Sequence, residues 1–74
     1  MRCPEYARLE QEVTDILTKL SQLTQEQLRA FRDSNHTRFT QLDKELEIMI
    51  GQKERSLGAL RQHAKEHGCK AQVA

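Results

Sequence analysis

The stretch Phe31-Arg32-Asp33-Ser34-Asn35-His36-Thr37-Arg38-Phe39 decides how this chain folds. Its middle, Arg32 to His36, is entirely polar, and helical sequence of about equal length lies on either side. Asp33, Ser34 and Asn35 have side chains that bond readily to nearby backbone, so they are weak inside helices and strong at helix ends. The break therefore reads as the turn of an αα-hairpin, with Ser34 or Asp33 ending the first helix and Asn35 capping the second. A connection this short makes the two helices antiparallel neighbours. Phe31 and Phe39 are expected to meet beside the turn as the closing layer of the core.

Upstream, Cys3-Pro4-Glu5 has the marks of a helix start. Proline is favoured at the first helical position, where its missing N–H costs nothing, and Glu5, Glu10 and Glu12 suit the positive end of the helix dipole. Tyr6, Leu9, Val13, Ile16, Leu20 and Leu23 then recur at spacings of 3 and 4, a heptad seam that Leu17 widens into a face. After Leu23 the next large apolar residues are Leu28 and Phe31, which reads as a shift of register. An 11-residue pattern (Tyr6, Leu17, Leu28 and Leu9, Leu20, Phe31) would carry one continuous helix through it. The alternative is a restart after a kink at Thr24-Gln25-Glu26-Gln27, which has the form of a capping box. Neither Gly nor Pro occurs between Glu5 and Gly51, which favours continuity.

Downstream, Phe39, Leu42, Leu46, Met49 or Ile50, Leu57, Leu60 and Ala64 share one helical face. Lys53 interrupts it, and a lysine stem can cover apolar surface while its ammonium reaches water. Gly51 and Gly58 are poor helix formers on one side of this helix, read either as the close approach of a partner helix or as tolerated weak points. Gly68 is the expected C-cap, and residues 69–74 read as a frayed tail. The expectation is an all-α, antiparallel two-helix hairpin with helices over about 4–33 and 36–67, a single domain over 1–74. The rod would be about 45 Å long.

Composition agrees. Charged residues make up 31% of the 74 positions and aromatics 4%, with one Pro and no Trp, a helical or coiled-coil balance. Five Lys/Arg and six Asp/Glu in residues 1–35, against seven and five in residues 36–74, leave no basic stripe for nucleic acid. The longest apolar run is Ile48-Met49-Ile50, too short to cross a membrane, and no apolar stretch follows the N-terminus as a secretory signal requires. A cytoplasmic protein is the default expectation. Large apolar residues from Tyr6 to Leu60 number 17, more than one seam between two helices can cover, in a chain below the size that readily stabilises itself. A partner chain is expected, most simply a second copy forming a four-helix bundle.

The hairpin also gathers chemistry. Cys3 and Cys69 stand at nearly equal distances from the turn, so both arrive at the far end of the rod, with His63 and His67. The bland reading is two unconnected thiols and two histidines placed to favour the negative end of the helix dipole. The others are a Cys3–Cys69 disulfide and a metal site using Cys3, His63, His67 and Cys69, a Cys₂His₂ set without the usual close-spaced Cys pair. No phosphate-binding glycine loop, nucleophile motif or metalloprotease His pair occurs, so neither catalytic residues nor a cofactor are expected.

From Leu28 to Leu60 the chain resembles a known pattern. Gln27-Leu28-Arg29-Ala30-Phe31, the polar break ending in Asn35, then Phe39, Leu42 and Lys44-Glu45-Leu46 look like the hairpin of flagellar type III export chaperones. The layout is equally similar to the small RNA-binding hairpin dimers of plasmid copy-number control, whose basic, Phe-bearing face is not evident here. Either resemblance implies a helical hairpin, and neither assigns a site. The functional expectation is a non-enzymatic binding or scaffolding module, with a redox- or metal-responsive protein as the alternative and an RNA-binding dimer behind it.

Overall fold

The computed structural model describes residues 3–67 and consists of two helices, α1 (Pro4–Arg32) and α2 (His36–His67), packed side by side. The molecule measures 49 × 18 × 17 Å, close to the rod expected from helix length alone. The expected Gly68 cap and the 69–74 tail lie outside the described residues.

Cys3 is the N-cap of α1, with extended backbone (φ −71°, ψ 129°), and Pro4 follows in the first turn. The Ala7 N–H donates to the Cys3 carbonyl at 3.1 Å and closes that first turn. The helix then runs unbroken to Arg32. Thr24 does not start a new one, because its hydroxyl donates back to the Leu20 carbonyl (2.8 Å), the bond of a threonine inside a helix.

The turn is built as its residue types demand. The Asn35 N–H donates to the Ala30 carbonyl (2.8 Å) and the Ser34 N–H to the Phe31 carbonyl (3.1 Å), the two bonds of a Schellman motif. Ser34 holds the left-handed position at φ 55°, where glycine is more usual. Asn35 then caps α2, its side-chain Oδ1 accepting the Arg38 N–H at 3.1 Å. One residue thus ends α1 through its backbone and starts α2 through its side chain.

The core is two separate clusters. Near the open end, Tyr6, Leu9, Val13 and Leu60 are buried, with Cys3, Leu57 and Ala64 packed against them. Near the turn, Leu23, Ala30 and Leu42 are buried, backed by Phe39, Leu46 and Met49. Between them Ile16, Leu20 and Lys53 are half-buried, so lysine interrupts the stripe where the core is thinnest. No polar or charged residue is buried among those described.

Two expected core residues are not in the core. Phe31 meets Phe39 beside the turn as expected, ring centroids 6.1 Å apart, yet it is 70% exposed and lies against the outside of the cluster. Ile50 is 44% exposed, and Met49 takes the inward position instead. The register shift after Leu23 does not occur either. The seam keeps its heptad through half-buried Gln27 and buried Ala30, which leaves Leu28 48% exposed. Ala30 fills that seam position with a methyl group, and a larger side chain there would have to displace the packing around Leu23 and Leu42.

The glycines mark no close approach within the hairpin. A Cβ at Gly58 would meet nothing within 4 Å, and one at Gly51 only the mobile tip of Arg55 at 3.6 Å. Gly58→Ala is therefore expected to stabilise the hairpin by about 1 kcal/mol, raising the thermal midpoint by roughly 4–8 °C in circular dichroism. A lowered midpoint would mean that something approaches this side of α2.

Candidate functional site

Two places carry features beyond those a bare hairpin needs. The first is the open end. Cys3 Sγ and His63 Nε2 lie 3.2 Å apart in a half-buried contact between residues 60 positions distant in sequence. The Tyr6 ring packs beside the imidazole, with centroids 6.4 Å apart and planes at 39°. Antiparallel pairing sets the N-cap of α1 opposite the last turns of α2, which is what brings this thiol to this histidine. Chemically the contact is a hydrogen bond between a thiol and an imidazole, its direction set by the tautomer of the ring.

Of the four candidate ligands at this end, the structure brings Cys3 and His63 together. Cys69 and the His67 side chain lie outside the described residues. Among the described residues no three His, Cys, Asp or Glu side chains are grouped as a metal requires. Recesses along α1 and the turn are polar, one lined by Glu26, Arg29, Asn35 and Arg38 and another by Lys19, Gln22, Gln25 and Glu26. No helix of the described residues is long and apolar enough to cross a membrane.

The second place is one side of the hairpin. The seam of α1 runs through Val13, Ile16, Leu20, Leu23, Gln27 and Ala30, and the positions just before and just after each of these form its two flanks. One flank is Glu12, Asp15, Lys19, Gln22, Glu26 and Arg29, nearly all charged. The other is Thr14, Leu17, Ser21, Thr24, Leu28 and Phe31, with no charge, and all of it is exposed. Thr14 and Thr24 donate their hydroxyls to the Glu10 and Leu20 carbonyls (3.0 and 2.8 Å), so each presents a methyl outward with its donor already satisfied. Covering Thr14 and Thr24 would therefore strand no polar hydrogen, whereas the Ser21 hydroxyl would need a partner.

On α2, the ion pair Arg38–Glu26 (3.8 Å) fixes which side is which, since Glu26 stands on the charged flank of α1. The opposite side of α2, facing the same way as the uncharged flank, carries Asp43, Glu47, Ile50 and Glu54. Sequence reading placed Leu17, Leu28 and Phe31 all on the packed face of α1, and all three are exposed. The contrast between the flanks was visible in the sequence as a difference of charge at fixed offsets from the seam.

Fold and surfaces together define a two-helix antiparallel hairpin of the all-α class, with an uncharged flank on α1 and a thiol–imidazole end. Comparison with known proteins found no matching family, no matching curated protein and no matching solved structure.

Proposed function

We propose that the chain is a non-enzymatic interaction module that works by self-association, two hairpins forming an antiparallel four-helix bundle whose surface is offered to another protein. The observation that carries this is exposed apolar surface beside a small core. Leu17, Leu28, Phe31, Ile48 and Ile50 are between 44% and 70% exposed, while the buried core holds seven of the described residues, among them Leu42 and Leu60. A chain this short draws little stability from such a core alone.

Sedimentation equilibrium tests this directly. Two-chain mass is expected at micromolar concentration, with mass and helicity falling together on dilution. One-chain mass with undiminished helicity at every concentration overturns the reading.

The Cys3–His63 contact favours a second reading, a redox- or metal-responsive end. Thiol titration with and without reductant, and metal analysis of the purified protein, decide it. Two reactive thiols under both conditions and no bound metal would leave the bundle alone.

A further inference from the structure

We infer that the side of the hairpin bearing the uncharged flank of α1 docks a helix of another protein, apolar on one face and edged with lysine or arginine where it meets α2. This rests on the reading of the chain as a protein-interaction module, names the partner's chemistry, and holds for one copy of the hairpin or two.

The floor of the site comes from both helices. Leu17 and Ile50 stand at nearly equal distances from Ser34 along the two arms, so antiparallel pairing sets them at one level, and both are exposed. Leu17, Ser21, Thr24, Leu28 and Phe31 then follow one another towards the turn at spacings of 4 and 3. That strip runs roughly 21 Å, about four turns, and its spacing is the one that accepts the ridges of a third helix.

The rim supplies the sign. Along the same side of α2 stand Thr40, Asp43, Glu47, Ile50, Glu54 and Leu57, carboxylates without a cation among them. Lys53 is half-buried in the seam, and Arg61, the next charge on that edge, lies about two turns beyond Glu54. Elsewhere the hairpin pairs its acids, Glu5 and Glu12 with Arg8 and Glu26 with Arg38. Among the described residues Asp43, Glu47 and Glu54 have no ion-pair partner, and Asp43 accepts from the neutral Gln27 amide at 3.3 Å. A run of one sign beside an apolar strip is complemented by a run of the opposite sign.

The same carboxylates set aside other occupants. Phosphate is repelled by this rim, which argues against nucleic acid and an anionic membrane. A two-fold that stacks α1 on α1 through this side also stacks α2 on α2, bringing Asp43, Glu47 and Glu54 against their own copies. A basic-edged helix meets neither obstacle, and it is read by the groove in the usual way, apolar anchors for affinity and charge for orientation.

The probes are two synthetic helical peptides of about 18 residues with one leucine face, alike except that the edge meant for α2 carries Lys in one and Glu in the other. By fluorescence anisotropy at low salt the Lys-edged peptide is expected to bind at least about 10-fold tighter, the difference shrinking as salt rises. Leu17→Ala and Ile50→Ala, exposed positions where helix propensity is kept, are each expected to weaken it by about 10-fold. Ile48→Ala, two positions from Ile50 and so on the opposite side of α2, is expected to change it less than about 2-fold. Glu47→Lys/Glu54→Lys is expected to reverse the preference, which a loss of folding would not do. Equal binding of the two peptides, or a preference that the double variant leaves in place, overturns the inference. So does failure of both peptides to bind a chain that sediments as two copies, the result if a second copy covers this flank, and self-association then stands. A chain of one-copy mass that binds the Lys-edged peptide with these variant effects sustains the inference and overturns self-association instead.

Discussion

Leu42→Ala is expected to cost about 2–5 kcal/mol and to leave the turn end of the hairpin without a core. Leu42 has no accessible surface at all and sits with Leu23 and Ala30, backed by Phe39, Leu46 and Met49, so its loss opens a cavity at the centre of that cluster. A domain of this size holds only about 3–5 kcal/mol in total, so the loss is comparable to the whole stability. Urea denaturation at fixed protein concentration, followed by circular dichroism, is the measurement. Leu60, 1% exposed in the other cluster, gives the companion experiment. It lies 18 positions along α2, roughly 27 Å away, so the two losses should add in a sufficiently stabilised background. A loss below about 1 kcal/mol for Leu42→Ala would mean that the turn-end cluster does not hold the helices together.

Leu20→Asp attacks the waist between the clusters. Leu20 is half-buried in the seam, where the neighbouring positions on the same face are Ile16 and Leu23. A carboxylate there must either shed its water or push the helices apart, at a cost of about 3 kcal/mol or more. Helicity and two-chain mass are expected to disappear together at neutral pH. Part of both should return in acid: the apolar site raises the new carboxyl's folded pKa above its unfolded value, so folding is favoured as pH falls and the group protonates. Leu46→Asp, also half-buried beside the turn-end cluster, is expected to behave alike. A fully helical monomer by sedimentation and circular dichroism would separate folding from association.

The turn was legible because it is local chemistry. Asn35 caps α2 through an interaction that spans three residues, and the helix limits follow from Pro4 at one end and the polar run at the other. The core was legible where the heptad is simple, at Tyr6, Leu9, Val13, Leu23, Leu42 and Leu60. It misled at Phe31 and Ile50 because size was taken for inwardness. A helix face is set by angle, and near the turn the seam falls on Ala30, not on the large residue beside it. The gathering of Cys3 and His63 followed from the near-equal arms of the hairpin, whereas their 3.2 Å separation depends on how the helix ends settle against Tyr6 and Ala64.

The division of the core has a mechanical meaning. Two apolar knots joined by a waist holding Ile16, Leu20 and Lys53 do not make a stiff beam. Hydrogen exchange is expected to show amides around Cys3 and amides around Asn35 opening with separate free energies, two short clamps in series, each loosening while the other keeps its grip.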